Sequence, residues 1–214
     1  LWDLSGAENL ASLFQADLRD EYLAVLHDPK RDDSTQTYVI FILKILKNSA
    51  SEANLTSEFK NTASDASRWE HVRRYALETW LESGIAPNEA IDFLEQISQG
   101  KISDPDEELT GILLKQFFPE VLTTSDALHY LHSPKSKFLG MYQRFWAYEF
   151  PNTVPEDDLP FVLDHLAQRK DLQSLNWIEF HISRTLAALV TRGVQVHGDK
   201  VPDGKLFTWL RIGT

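Results

Sequence analysis

The stretch RWEHVRRYALETWLESGIAPNEAIDFLEQISQGKISDPDEELTGILLKQFFP, residues 68–119, decides the fold. From Arg68 to Glu82 it places Trp69, Val72, Ala76 and Trp80 three or four residues apart, the repeat of one helix face. Gly84 follows as a left-handed stop, because glycine has no β-carbon to clash there. Pro87 then falls in a first turn, where its missing N–H costs nothing. The helix it opens carries Ala90, Ile91, Leu94 and Ile97 and ends at Gly100. The pattern then repeats. Asp104 caps, Pro105 opens, and Glu107 stands three residues past the cap. Leu109, Ile112, Leu113 and Phe117 form the buried stripe, and Pro119 ends it. Gly111 lies inside this helix at a cost of about 1 kcal/mol against alanine, which predicts a close approach by another helix.

Toward the C-terminus, Thr123 with Asp126 reads as a further cap, ahead of Leu128 and Leu131, and Pro134 breaks that helix. Phe138 to Phe150 is an aromatic-rich helix closed by Pro151. Asp158 caps a helix with Pro160 in its first turn and Val162, Leu163 and Leu166 inside. Asn176 to Val190 turns Trp177, Ile178, Ile182, Leu186 and Leu189 inward, and a last short helix holds Leu206, Phe207, Trp209 and Leu210. Toward the N-terminus, helices fall near Ala7–Leu18, Asp20–Leu26, Thr35–Lys47 and Glu52–Lys60. The small, polar run 61–67 reads as a linker between N-terminal helices (1–60) and a main array (68–214), with one continuous solenoid as the other reading. Alternating polar–apolar strand patterns are absent. The expected fold class is all-α: antiparallel helical hairpins, each roughly 35–40 residues, stacked as an irregular HEAT-like α-solenoid. A compact helical bundle is the alternative.

Composition narrows the function. Of 214 residues 43% are hydrophobic and 25% charged, the balance of a folded chain. The net charge of −11 disfavours a nucleic-acid backbone or an anionic bilayer as partner. With no cysteine there is no disulfide framework, thiolate nucleophile or Cys-based zinc site, which fits a reducing, cytoplasmic setting. Asn54-Leu55-Thr56 has the form of a glycosylation sequon, a triplet that also arises by chance. Tyr38 to Leu46, the longest apolar candidate, is broken by Lys44 and is too short to span a membrane. No secretory pattern opens the chain; it begins at Leu1 without a methionine, so we read it as a piece of a longer protein.

Candidate chemistry is sparse. Asp104, Asp106, Glu107 and Glu108 could hold a hard cation, but the glycine turn and distal glutamate of a calcium loop are missing; acids also collect at helix N-termini because the macrodipole favours them. Glu156, Asp157 and Asp158 repeat that logic. His129 and His132, three apart, could face one metal, yet no third ligand stands at a zinc spacing; histidines near a helix C-terminus also serve as dipole partners. His181 and Ser183 lack an organised third group, and neither a nucleophile elbow nor a phosphate-cradling Gly-rich loop occurs. His71, Arg73 and Arg74 are too interleaved with acids for a recognition helix and read as a solvated face. No catalytic residue, cofactor or metal is therefore expected. The aromatic run Tyr142, Phe145, Trp146, Tyr148 and Phe150 is too wide for one helix face. Either two neighbours flank this helix or some rings form a contact surface. Tyr142, Trp146 and Tyr148 are the candidates for such a surface, with Phe145 in the core.

The pieces Arg74-Tyr75-Ala76-Leu77, Asp106-Glu107-Glu108-Leu109-Thr110-Gly111, Phe117-Phe118-Pro119, Leu122-Thr123, Tyr130-Leu131, Phe138-Leu139-Gly140-Met141-Tyr142, Phe145 and Asp158-Leu159-Pro160 resemble the helical region that follows the nucleotide-binding module in bacterial NACHT-type NTPases of the STAND class. The resemblance runs from Arg73 to Leu166, under half of the chain, and rests on helix punctuation. It implies a regulatory or sensing segment of a larger ATPase, partnered by other domains of its own chain or by a protein ligand. The nucleotide-binding motifs of that family have no counterpart here. Two functions follow as expectations: a non-catalytic interaction array, or a helical enzyme domain with an unrecognised acid/base site.

Overall fold

The computed structural model describes residues 18–28, 30–47, 52–135, 139–169 and 179–213. The fold is all-α: helix takes roughly three quarters of it, and no strand occurs among the described residues. The chain divides into two compact units, Leu1–Ala86 and Pro87–Thr214.

The first unit holds α1 (Arg19–His27), α2 (Asp33–Lys47), α3 (Glu52–Ser64) and α4 (Glu70–Leu81). Its core is Leu26, Val39, Ile40, Leu43, Leu55, Phe59, Val72, Leu77 and Trp80. Helices α2 and α4 run parallel. Asp33 pairs with His71 at their N-terminal ends, and Lys44 with Glu82 at the C-terminal ends. Residues 61–64, expected in a linker, instead complete the last turn of α3, where Thr62 and Ala63 are buried. The division falls later, at Ala86 and Pro87, after the left-handed Gly84. Arg73 is buried rather than solvated, because its Nε donates to the Ala63 carbonyl at 2.9 Å. Trp69 stands outside the helix, 64% exposed, so the stripe of α4 begins at Val72.

The second unit is built around α6 (Glu108–Phe117), which follows α5 (Pro87–Ser98). Every residue from Glu108 to Leu114 is buried, as befits a helix surrounded on all sides. Gly111 is where the next layer touches: a β-carbon there would lie 2.1 Å from the Tyr142 backbone nitrogen and 2.2 Å from the Met141 carbonyl carbon. The close approach expected from sequence is thus backbone against backbone. After α7 (Thr124–His129), the aromatic helix opens as α8 (Met141–Arg144), widens into a π-turn (Phe145–Glu149), where the Phe150 N–H reaches the Phe145 carbonyl, and closes as α9 (Phe150–Thr153). Pro151 therefore sits inside the final turn instead of ending the helix one residue earlier. Then come α10 (Leu159–Gln168), α11 (Glu179–His197) and α12 (Asp203–Leu210).

Two of the three expected caps differ in detail. Thr123 and Asp126 do form the reciprocal box. Asp104 accepts the Leu109 and Thr110 N–H groups, but α6 starts only at Glu108. Asp158 precedes α10, yet its carboxylate accepts the Thr124 hydroxyl instead of capping. In α12, Trp209 is buried while Phe207 and Leu210 face outward. The expected helix Ala7–Leu18 lies outside the described residues except for Leu18, as do Phe138 and Asn176 to Ile178.

Candidate functional site

Two concave features of the second unit bear on function. The larger, about 500 Å³, lies between the C-terminal end of α5, the loop into α6 and the end of α7. Its walls carry Asp104, Glu107, His129, Tyr130, His132 and Lys135. The sequence placed His129 and His132 on one helix; α7 ends at His129, and His132 lies beyond it. His132 turns onto Tyr142, stacking ring on ring at 4.8 Å, and meets the buried Glu107 carboxylate through Nδ1 at 3.3 Å. Glu107 has φ +62, a left-handed conformation costing a non-glycine residue about 1–2 kcal/mol. That conformation aims its carboxylate inward, where it also accepts the Lys135 N–H at 2.8 Å.

The acidic cluster thus works on backbone. Asp104 takes three donors: the Leu109 and Thr110 N–H groups and the Thr110 hydroxyl. Glu108 accepts the Met141 N–H at 2.7 Å, in space that a side chain at Gly140 would occupy. Only Asp106 of the four is exposed. Among the described residues no group of acids and histidines is arranged to hold a metal ion. Tyr142 closes the network: its hydroxyl donates to the Tyr130 or His132 carbonyl and accepts the His132 N–H. Burial pushes the Tyr142 phenol well up from its ordinary value. Burial and the nearby Glu95 carboxylate push Tyr130 up to about 12.

The smaller feature, about 270 Å³, lies between α6 and the π-turn. Its floor is Met141 and Phe145, and Leu139 and Tyr148 stand exposed at its edge. Lys115 and Glu149 face each other there at 3.1 Å, and the exposed Arg144 completes the rim. The Arg184 guanidinium of α11 lies over the Tyr148 ring at 5.2 Å.

Of the three aromatics expected at a contact surface, only Tyr148 reaches it, at 37% exposure. Tyr142 (1%) and Trp146 (4%) are interior. The reason is layering: α6 covers one side of the aromatic helix and α11 the other, and Thr185 of α11 donates to the Trp146 carbonyl at 2.8 Å. Phe145 is in the core, packed against Phe118, Trp146 and Phe150. Arg184, Leu139 and Arg144 were not foreseen. Arg184 meets Tyr148 across 36 positions of sequence, and no local pattern encodes that meeting. Gly140-Met141, a helix start, was the available hint that Leu139 is left outside.

No family model, curated protein or solved structure matches the chain.

Proposed function

We propose that this chain is a non-catalytic helical interaction segment that makes its contact through the face around Tyr148. The observation that carries the reading is the composition of that face: a half-exposed tyrosine and an exposed leucine over an apolar floor, with Arg144 and Arg184 beside it and Lys115 paired to Glu149 on the rim. Aromatic and arginine side chains around a small apolar depression are the usual make-up of an interface anchor site. The larger pocket, by contrast, has its carboxylates engaged in holding backbone. The partner is another domain of the parent chain or a separate protein, and the parent is a signalling NTPase of the STAND kind, with this segment as a regulatory, HEAT-like stack in the cytoplasm. Some of the residues that carry the family resemblance stand at helix ends of the second unit: Glu108 opens α6, Phe117-Phe118-Pro119 closes it, and Thr123 caps α7; Arg74 to Leu77 lie within α4.

Hydroxyl-radical footprinting tests the reading. Labelling of Tyr148 and Leu139 is compared between the isolated 214-residue chain and the natural protein in its native assembly. Protection of both residues in the assembly is expected, with Trp69 as a reference; equal labelling in the two states overturns the reading.

A second reading, an acid/base enzyme, is favoured by one observation: the Glu107–His132 pair at the edge of the 500 Å³ pocket. His132 Nδ1 stands 3.0 Å from the Ser133 carbonyl and 3.3 Å from the Glu107 carboxylate, which leaves Nε2 as the base, the position that hydrolytic sites use. Covalent labelling of His132 by diethyl pyrocarbonate, blocked selectively by one compound from a metabolite panel, would favour it over the contact reading.

A further inference from the structure

The face around Tyr148 also carries information on the chemistry of the partner, in an inference that rests on the contact reading. The depression beside Tyr148 holds about 270 Å³. That is below the roughly 300–1,000 Å³ of clefts that enclose small molecules, and it suits one protruding apolar side chain. The floor of Met141 and Phe145 supplies the apolar contact. The charge around it is opposite to that of the molecule. Among the described residues, Lys115, Arg144 and Arg184 surround Tyr148 with Glu149 as the one carboxylate lining the depression, whereas the chain as a whole carries −11. Glu149 is engaged with Lys115, so Arg144 and Arg184 set the local sign. We infer that the partner is a protein segment in which one large apolar residue is flanked by acidic side chains: the apolar residue enters between Leu139 and Tyr148, and the acids meet Arg144 and Arg184. An anionic bilayer would meet the same cations over an area far wider than the depression, where the net −11 of the chain opposes it, whereas a short segment engages the depression alone.

The test uses the whole chain and three synthetic peptides with a central leucine flanked by glutamate, glutamine or lysine. Chemical-shift changes at the Leu139 and Tyr148 amides report binding. The glutamate peptide is expected to bind about tenfold more tightly than the glutamine peptide, with the margin shrinking in high salt. The lysine peptide is expected to leave the signals unmoved. R144E, which leaves Arg184 opposed by the new carboxylate, should abolish the preference for the glutamate over the lysine peptide, and R144K should leave it as it is. Two outcomes overturn the inference while footprinting protection at Tyr148 preserves the contact reading: equal binding of all three peptides, or no binding by any. Shifts at Tyr148 with phosphatidylcholine vesicles containing phosphatidylserine, in place of the glutamate peptide, overturn it in favour of a membrane surface. If Tyr148 is also unprotected in the native assembly, the contact reading falls with it.

Discussion

At Gly111 the methyl group of an alanine would have to displace main chain, since the atoms it meets are the Tyr142 nitrogen and the Met141 carbonyl carbon. Overpacking against side chains costs about 1–3 kcal/mol, and backbone yields less readily. Gly111→Ala should therefore lower the unfolding free energy, measured with urea, by at least that amount. Gly204, with open space around it, provides the contrast: Gly204→Ala should stabilise by up to about 1 kcal/mol, because glycine gives up more backbone freedom in a helix. The aromatic run separates in the same way. Phe145→Ala should cost about 3–5 kcal/mol, as for other buried phenylalanines. Tyr148→Ala should cost no more than about 1 kcal/mol, the scale of an exposed cation–π contact. Equal losses for the two, measured by urea unfolding, would mean that the helix is turned differently. The hydroxyl of Tyr142 makes a further prediction. Its folded pKa is raised, so its share of stability is complete below about pH 10, where the unfolded phenol still holds its proton, and drains away as the pH rises toward the folded value. Tyr130 acts in the same window. Tyr142→Phe should thus lower stability at neutral pH by about 1–3 kcal/mol, by stranding the buried Tyr130 carbonyl, and flatten the alkaline decline.

At the scale of elements, helix ends were legible where a single residue type commits the backbone. The Thr123–Asp126 box, the left-handed Gly84 and Gly100, and the start at Pro87 all stand where local chemistry puts them. Thr123→Ala should accordingly cost about 1 kcal/mol in thermal or urea unfolding, the usual value of an N-terminal cap. Elements whose form depends on distant partners were not legible. The π-turn has no signature in Phe145–Glu149 alone; its wider pitch places Pro151 inside the final turn and leaves Tyr148 beneath Arg184. The acids of the loop into α6 read from the sequence as partners of the helix dipole, with Asp104 as a cap, or as a hard-cation site. Glu107 and Glu108 are buried because they accept the N–H groups of Lys135 and Met141, residues far from them in sequence. Arg73 escaped for the same reason, since its acceptor, the Ala63 carbonyl, belongs to the preceding helix. The candidate contact surface was legible only in Tyr148, because burial of Tyr142 and Trp146 requires two flanking helices, and composition cannot say which side they cover.

At the scale of the molecule, an all-α chain carrying −11 and no described helix long and apolar enough to cross a membrane keeps a small, locally basic, aromatic face around Tyr148. The central claim is that the chain meets its partner there. Photo-crosslinking in the cells that express the natural protein tests this most directly, with a photoreactive phenylalanine analogue placed at Tyr148 and, as control, at the exposed Gln195. The expected result is a discrete crosslinked product from position 148, either within the parent chain or to one separate protein, that is weakened by Arg144→Glu and unaffected by His132→Ala. A product from position 195 alone, or one from 148 that His132→Ala abolishes and Arg144→Glu leaves intact, would contradict the claim.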